Sequence, residues 1–356
     1  MITRLRIQGF KCFRDLELDP LKRITILGGR NNVGKTAVLE AVFLFFDRLN
    51  PNMTVRQFAA RGVPTLPLTP EGVFLPIFRG YNAAEALSIE AEVGGRREVM
   101  RVTYNDRFVA AEVRGRPKPL PGMPATIRTD EMATPYVALD ISVDSDSAAA
   151  DTSHLVLHET GVVLHVDKAT GPIHPAAIVA GPGAPNDLAT RFGQLDVEGM
   201  RPEVVRFLQM IEPGLEDLST ITAGDVSLIY GSVVGQRKIP VAYMGDGMSR
   251  LLNMIVYLAT TRNGILLVDE IENGIHYSAM LGVWQALAEA AKHFNCQILA
   301  TTHSRECLEA AREGLGDEYA DDLAYIRLHR TGEEIAPKYY DYELLGTAEK
   351  TGLEVR

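Results

Sequence analysis

The sequence predicts an α/β protein in which a doubly wound, mostly parallel sheet is combined with an antiparallel β-meander and an inserted α+β segment. An apolar run at 24–27 suits a buried strand, and a helical pattern follows at 36–49. The last hundred residues again alternate strands with helices. From residue 87, alternating strands are separated by Gly94-Gly95 and Asn105-Asp106 turns, which predicts the meander. We therefore expect the two ends of the chain to share one sheet.

The individual elements are placed by apolar periodicity and by turn residues. The first half is expected to contain strands at 2–7, 16–18, 24–27, 88–93, 98–104 and 108–113, helices at 36–49 and 55–60, and a hairpin at 155–166. Residues rich in proline, glycine or small polar side chains are expected to form loops or linkers at 51–77, 117–124, 144–153 and 171–186. The second half is expected to contain helices at 202–211, 248–260 and 278–294, strands at 226–230, 239–243, 265–268 and 297–301, a helix capped by Ser304, and a hairpin at 325–340.

Composition restricts the class of protein. The chain has 356 residues, 46% hydrophobic and 23% charged, and its net charge of −10 provides no general attraction to nucleic acid or to anionic membranes. The isolated cysteines Cys12, Cys296 and Cys307 fit a reducing compartment without a zinc or disulfide framework. No signal-peptide pattern opens the sequence, and the apolar helix that carries Glu40 is too short to span a membrane. We therefore expect a cytoplasmic protein with no membrane partner.

A phosphate-binding loop is predicted between the strand at 24–27 and the helix at 36–49. The pattern is Gly-x4-Gly-Lys-Thr, in which backbone N–H groups and the helix N-terminus face phosphate oxygens. Lys35 is expected to reach the β- and γ-phosphates, and the Thr36 hydroxyl to bind Mg²⁺. The alternative is a structural glycine-rich turn. The residues expected to bind the nucleotide are Gly29, Arg30, Asn31, Asn32, Val33, Gly34, Lys35, Thr36 and Ala37.

Two acidic residues follow the apolar strand at 265–268. A phosphate loop requires a carboxylate for Mg²⁺ and, for hydrolysis, a base that orients water. Asp269 is expected to bind the metal and Glu270 to orient the attacking water. An acidic pair at a strand end also occurs as a simple cap, but the phosphate loop upstream favours the functional interpretation.

Two weaker motifs lie on either side of this acidic pair. Gly245, Asp246, Gly247 and Ser249 immediately precede a helix, a pattern that by itself predicts only a turn. His303 follows the strand at 297–301. A lone histidine is usually an ordinary polar residue, but at the carboxyl end of a strand beside a phosphate site it can sense the γ-phosphate.

Taken together, the order of these motifs resembles an ABC-type ATPase head of the RecF/SMC/OLD branch, where OLD stands for overcoming lysogenisation defect. Within the branch, the chain is similar to bacterial AAA-type ATP-binding proteins linked to OLD nucleases and phage defence. Residues 7–13 resemble the opening motif I-x-x-F-K-x-F, residues 269–276 resemble the Walker B motif plus D-loop, and Thr302-His303-Ser304 resembles the His switch. The resemblance covers 1–50 and 240–330.

The resemblance implies a composite ATP site. Two heads form a homodimer, or part of a higher homo-oligomer, that encloses two ATP molecules with Mg²⁺. Gly245, Asp246, Gly247 and Ser249 would face the γ-phosphate bound by the other copy, and His303 would communicate occupancy across the dimer. Lys11 and Phe13 would lie near the adenosine. Residues 1–120 and 240–356 would form the discontinuous nucleotide-binding head, and residues 121–239 an inserted lid or arm.

Two departures from the family pattern concern the signature and the lid. The signature reads Met-Gly-Asp-Gly-Met where the wider ABC pattern has Leu-Ser-Gly-Gly-Gln, so the serine hydroxyl is absent at Gly245. No glutamine stands clearly at the lid position, for which the best location is Phe78-Arg79-Gly80. The coupling of Mg²⁺ to the lid is therefore open.

Three functions follow from the sequence. OLD proteins continue into a TOPRIM nuclease domain. In this chain, Asp341 and Glu343 alone do not make a nuclease. The first hypothesis is therefore an ATPase that controls a separate effector such as a TOPRIM-like nuclease. The second is a RecF-like repair ATPase that binds DNA directly, supported by a local charge of +4 at 96–118 and opposed by the net charge of −10. The third is an assembly scaffold locked by ATP. Such a scaffold has no need for a water-orienting carboxylate, so the presence of Glu270 weighs against it.

Overall fold

The computed structural model of the chain describes residues 1–60, 67–109, 136–146, 148–159, 161–169, 174–181 and 184–351. The loop predicted at 117–124, and the parts of the basic segment and of the last meander strand beyond residue 109, lie outside these residues. Within the described part, the strands are β1 (Ile2–Phe10), β2 (Phe13–Leu18), β3 (Ile24–Gly28), β4 (Leu87–Val93), β5 (Arg96–Phe108), β6 (Tyr136–Ser145), β7 (Ala148–His158), β8 (Gly161–Lys168), β9 (Ala176–Val179), β10 (Leu215–Ala223), β11 (Val226–Val233), β12 (Ile239–Pro240), β13 (Ile265–Val268), β14 (Gln297–Thr301), β15 (Leu323–Thr331) and β16 (Glu334–Tyr340).

The α-helices of the described part alternate with these strands, mostly in the second half of the chain. They are α1 (Lys35–Phe46), α2 (Met53–Ala60), α3 (Pro70–Val73), α4 (Pro185–Val197), α5 (Arg201–Leu208), α6 (Asp246–Thr260), α7 (Tyr277–His293), α8 (Arg305–Leu315) and α9 (Tyr342–Thr351). As predicted, the Ser304 hydroxyl caps α8 by accepting a hydrogen bond from the Cys307 N–H. No helix in the described ranges is both long and apolar enough to cross a membrane.

The first sheet has six strands in the order β16-β15-β3-β14-β13-β9. All its pairs are parallel except the edge pair of β15 and β16. Because β3, β13 and β14 run in one direction, their carboxyl ends meet at one edge, where ligands bind in such sheets. The phosphate loop, Asp269-Glu270 and Thr302-His303 each follow one of these strands.

The second sheet has seven antiparallel strands in the order β2-β1-β4-β5-β6-β7-β8, and β10, β11 and β12 form a third, small sheet. Helix α1 packs within the apolar cluster that joins the first two sheets, and eleven of its twelve residues are buried. A helix that is apolar on nearly every face is stable only when both sides are covered. The predicted fold class, a doubly wound parallel sheet combined with an antiparallel meander, is confirmed.

Three local expectations are wrong. The Asn105-Asp106 turn does not form, because β5 continues to Phe108 and the Asn105 side chain donates a hydrogen bond of 2.9 Å to Asp140 on β6. The linker expected at 144–153 lies mostly within strands, because β6 runs to Ser145 and β7 begins at Ala148, directly opposite it. The irregular stretch at 171–186 contains β9, whose Val179 pairs with Val268 on β13. In each case strand pairing overrides weak local propensity.

Strand pairing also crosses the expected boundary of the insert at 121–239. Strands β6, β7 and β8 extend the sheet that β1 belongs to, and β9 is an edge strand of the parallel sheet. Helices α4 and α5 pack in the same core as α6 and α7. We propose that the inserted part is limited to the segment from α4 to β12, which carries its own small sheet.

Candidate functional site

The phosphate loop curls tightly between β3 and α1, and two of its glycines are required by close packing. Gly29 has φ of 128°, and a Cβ atom there would collide with the Leu328 carbonyl oxygen. Gly34 has φ of 88°, and a Cβ atom there would lie 2.6 Å from Cζ of Phe13. Only glycine adopts these conformations without strain or collision. The loop therefore packs against the Phe13 side chain of β2 and against the Leu328 backbone of β15.

Lys35 is the first residue of α1 and is buried, with 9% of its surface exposed. Its ammonium donates hydrogen bonds to the carbonyls of Gly29, at 2.7 Å, and Arg30, at 3.0 Å. Burial lowers the pKa of Lys35, and the nearby carboxylates of Asp269 and Glu270 oppose this effect. The cation is thus fixed against the loop at the N-terminus of a helix, where anions bind.

Thr36 and Asp269 lie in direct contact across the sheet edge. The Thr36 hydroxyl is 3.0 Å from both carboxylate oxygens of Asp269. The Asp269 N–H donates to Val179 on β9, which fixes the end of β13. A hydroxyl beside a carboxylate is a donor set of hard oxygen atoms, which suits Mg²⁺. These two side chains fit the metal that the sequence predicts, and they would hold it.

Glu270 directly follows Asp269 and has φ of 45°, a left-handed conformation that is rare for residues with a side chain. Its N–H donates to the Thr301 hydroxyl at 2.8 Å, and its carboxylate accepts a hydrogen bond of 2.6 Å from the Asn273 amide. The same Thr301 hydroxyl donates to Asp269 at 2.6 Å. One fully buried threonine therefore orients both acidic residues.

Sequence reasoning missed Thr301 because it was read only as the last residue of a strand. Its position directly before Thr302-His303 is the signal that could have identified it. Arg330 on β15 was also missed, although its guanidinium donates a hydrogen bond of 3.3 Å to the Asn32 carbonyl of the phosphate loop. No motif marks that arginine.

His303 contacts the segment that follows Glu270. Its Nδ1 lies 3.0 Å from Oε1 of Glu272, and its backbone N–H donates to the same oxygen at 2.9 Å. Glu272 is mostly buried, whereas 49% of the His303 side chain is exposed. The pair joins the ends of β13 and β14 and leaves the imidazole accessible.

The predicted signature residues form the N-terminus of α6. Gly245 has φ of 110° and precedes the helix, and Gly245 and Asp246 are exposed. The Ser249 hydroxyl donates to the Val241 carbonyl of its own chain. A Cβ atom at Gly274 would lie 3.4 Å from Cβ of Asp246, so this end of α6 lies beside the predicted D-loop. In the described part of the chain, no hydrogen bond connects Gly245–Ser249 to the phosphate loop.

Lys11 and Phe13 lie beside the loop, but in supporting positions. The Lys11 ammonium is 2.6 Å from the carboxylate of Glu40, a residue of α1 that is 1% exposed. Phe13 is also 1% exposed and packs under Gly34. Phe13 thus packs against the phosphate loop. The positions of Lys11 and Phe13 near the adenosine stay predictions.

The predicted lid segment and the basic segment both make contacts that bear on their expected roles. Phe78 forms an isolated bridge with Phe10, and the Lys11 N–H donates to Ile77, so the segment lies at the end of β1. In the basic segment, Arg97 forms two hydrogen bonds of 2.7 Å with Glu90 on the neighbouring strand. At Arg97 the charge is therefore already paired, as on an ordinary solvated strand face.

Comparison with known proteins gives three relevant similarities. The family described as "AAA ATPase domain" matches residues 1–93 and 197–308. A Helicobacter pylori protein named ATP/GTP phosphatase is 21% identical over 370 residues, which covers 96% of this chain and 95% of that protein. An uncharacterised protein of Methanocaldococcus jannaschii is 29% identical over 119 residues, 32% of this chain and 99% of that protein.

Among solved structures, an SMC head bound to the C-winged helix domain of ScpA has a similar fold. It aligns with a TM-score of 0.51 and 13% identity, covering 96% of this chain and 98% of that chain. The similarity places the three sheets and their helices in the head architecture of SMC proteins.

Proposed function

The chain belongs to the AAA ATPase domain family, and we propose on this basis that it binds ATP with Mg²⁺ and hydrolyses it to ADP and phosphate. One observation carries the proposal. The hydroxyl and carboxylate groups of Thr36, Asp269 and Thr301 form a continuous hydrogen-bonded chain from the phosphate loop to the backbone of Glu270. This chain connects the residues that would bind phosphate to the residue that would orient water. The name of the Helicobacter pylori relative, ATP/GTP phosphatase, agrees with such a reaction.

The mechanism assigns a task to each residue. The loop N–H groups, the N-terminus of α1 and Lys35 would bind the phosphates, and Thr36 with Asp269 would hold Mg²⁺, which would neutralise phosphate charge. Glu270 orients a water molecule and accepts its proton as the water oxygen attacks the γ-phosphorus. The bond between that phosphorus and the β–γ bridging oxygen breaks, and ADP carries the released electron pair.

The complete site is proposed to form between two copies of the chain. The exposed N-terminus of α6, with Gly245, Asp246, Gly247 and Ser249, would bind the γ-phosphate held by the other copy. Two observations support this arrangement: these residues are not hydrogen-bonded to the phosphate loop of their own chain within the described ranges, and Gly245 and Asp246 are exposed. His303 would respond to the γ-phosphate through its exposed imidazole.

We further propose that the nucleotide cycle controls a separate effector protein, for which the sequence resemblance suggests a TOPRIM-like nuclease in phage defence. The SMC head of the structural comparison is itself bound to a ScpA domain, so a head of this fold can carry a partner protein. Affinity purification of the chain with ATP and with ADP, followed by identification of co-purifying proteins, tests the proposal. A partner retained in only one nucleotide state would support it, and nucleotide-independent recovery would contradict it.

Substitution Glu270→Gln tests the hydrolysis mechanism. The amide keeps the shape and the hydrogen bond to Asn273 but cannot accept a proton, so turnover should fall about 10²-fold or more. ATP binding should remain, and the ATP-bound dimer should accumulate in gel filtration. Phosphate release and nucleotide-binding titrations measure the two effects.

The matched control is Glu309→Gln, which alters an exposed glutamate on α8 that pairs with Arg305. It should hydrolyse ATP at the rate of the unmodified protein. If Glu270→Gln retains full turnover, Glu270 is not the water-orienting residue. If it binds ATP and stays monomeric at saturating ATP and Mg²⁺, the two-copy site is wrong.

A further inference from the structure

Arg250 lies one turn into α6, directly after the predicted signature residues, and only 7% of it is exposed. Its guanidinium donates hydrogen bonds to three backbone carbonyls rather than to a side chain. These carbonyls belong to Gly181 at 2.8 Å, Asp269 at 2.9 Å and Glu270 at 3.4 Å. One side chain of α6 therefore holds the backbone at the ends of both β9 and β13.

The charge of Arg250 is not neutralised by a direct ion pair. Among the described residues, no carboxylate lies within ion-pair distance of the guanidinium, and its Nε is buried without a hydrogen-bond partner. Burial lowers the pKa of Arg250, and Asp269, Glu272 and Glu270 raise it from a greater distance. A buried cation without an ion-pair partner costs free energy that an apolar side chain would not. Its presence at this position therefore calls for a purpose beyond packing.

The carbonyls that Arg250 binds belong to the part of the site under conformational strain. A residue with a side chain at φ of 45°, as in Glu270, is strained and persists only where its surroundings fix it. Thr301 holds the N–H of Glu270, and Asn273 holds its carboxylate. Arg250 completes the set by binding the carbonyls of Asp269 and Glu270, which lie on either side of the Glu270 Cα.

We propose that Arg250 is a positioning residue that couples the N-terminus of α6 to Glu270 of the same chain. This inference rests on the proposed function, because it takes Glu270 as the water-orienting residue and the start of α6 as the binding site for the other copy's γ-phosphate. Movement of α6 on binding that phosphate is transmitted through the guanidinium to the backbone of Glu270. Engagement of a chain's α6 by the second nucleotide thereby raises the activity of that chain's own Glu270.

The test compares Arg250→Lys and Arg250→Met with the unmodified protein. Lysine keeps the charge but cannot bridge three carbonyls, and methionine keeps the buried volume without charge. Because a misplaced catalytic group costs up to about 10²-fold, kcat should fall roughly 10- to 10²-fold in both variants. The KM and the Kd for ATP should stay within about twofold, since Arg250 binds Asp269 only at its backbone and makes no hydrogen bond to the phosphate loop.

A double variant separates positioning from a general loss of structure. Arg250→Lys and Asn273→Ala both act on Glu270, so their combined effect on kcat should be smaller than the product of the separate effects. Arg262→Met is the control, because Arg262 lies just beyond α6 and pairs with Glu198 at the surface. It should leave kcat unchanged.

The outcomes are distinguishable. Unchanged kcat in both Arg250 variants would overturn the inference, as would a parallel loss of ATP binding and melting temperature in both. Independent, multiplicative effects of Arg250→Lys and Asn273→Ala would also overturn it. By contrast, a Glu270→Gln variant that hydrolyses ATP at the rate of the unmodified protein would refute the proposed function itself.

Discussion

At the scale of the residue, the site depends on one side chain that carries no charge. The Thr301 hydroxyl accepts from the N–H of Glu270 and donates to the carboxylate of Asp269, so it uses both of its hydrogen-bonding capacities at once. Asp269 and Glu270 are both acidic and repel each other. The Thr301 hydroxyl fixes the Asp269 carboxylate and the Glu270 backbone relative to each other.

Thr301→Val tests this role, because valine has the same shape and no hydroxyl. The part-buried N–H of Glu270 would lose its acceptor, which costs roughly 0.5–1.5 kcal/mol, and the orientation of both acidic residues would relax. We expect a lower melting temperature and a lower kcat, measured by thermal unfolding and phosphate release. Thr301→Ser, which keeps the hydroxyl, should retain most of both. Retention of both in Thr301→Val, with losses in Thr301→Ser, would show that the methyl group, not the hydroxyl, matters.

At the scale of the element, α1 joins the two large sheets through charged groups as well as apolar ones. Just beyond its end, Arg48 pairs with Glu98 of β5 at 3.0 Å, with 6% of each side chain exposed. In its middle, Glu40 pairs with Lys11, which directly follows β1. The helix that begins at the phosphate loop is therefore tied to the antiparallel sheet at its middle and just beyond its end.

A second polar network crosses β6, β7 and β8, where His154 lies between Asp140 at 2.6 Å and Asp167 at 3.0 Å. Burial lowers the pKa of His154, but the hydrogen bonds to the two aspartates outweigh this and raise the pKa above its ordinary value. A raised pKa in the folded state means that the pair stabilises the fold fully below the unfolded pKa, about 6.5. The stabilisation is lost as pH rises through the folded pKa.

Asp167→Asn should therefore lower the melting temperature at pH 6 and have little effect at pH 9. The substitution removes one partner of the imidazolium, and only the charged histidine depends on it. Thermal unfolding of both proteins across this pH range gives the difference between their melting temperatures. The half-buried His158 and His165 have lowered pKa values and so an opposite pH dependence, but they are present in both proteins and their effects largely cancel. Asp225→Asn, at an exposed turn, should shift the melting temperature little at either pH. A difference that grew towards pH 9 would contradict the assignment.

At the scale of the whole molecule, the question is whether the residues that complete the site belong to the same chain. The phosphate loop, Asp269, Glu270 and His303 lie at one edge of one sheet, whereas the start of α6 faces outward beside Gly274. A composite site made by two copies predicts that defects on opposite sides of it can complement each other.

Mixing Lys35→Ala with Asp246→Arg tests this prediction. Lys35→Ala should lose ATP binding, and Asp246→Arg should bind ATP but not hydrolyse it, so each protein alone should be inactive. In a mixed dimer one site combines the intact loop of the Asp246→Arg chain with the intact α6 of the Lys35→Ala chain. Phosphate release should then recover in part. Mixed dimers that form but remain inactive would argue against a site shared between copies.

Much of the molecule follows from local sequence. The bounds predicted for β13 and β14 agree with the structure, because short apolar runs flanked by polar residues are stable only as buried strands. The phosphate loop was likewise placed correctly between β3 and α1, because its glycines, lysine and threonine occur in one uninterrupted stretch. Parallel strand order then implied that Asp269 would approach this loop.

Tertiary structure decided the contacts between distant segments. The four-residue strand β9, the hydroxyl bridge of Thr301 and the burial of Arg250 each depend on a partner far away in the chain, and no local pattern encodes such a partner. The sequence predicts which groups would bind phosphate and metal, because these groups act through their own chemistry. Only the fold decided which neutral and basic side chains hold them in place, because that role is defined by proximity.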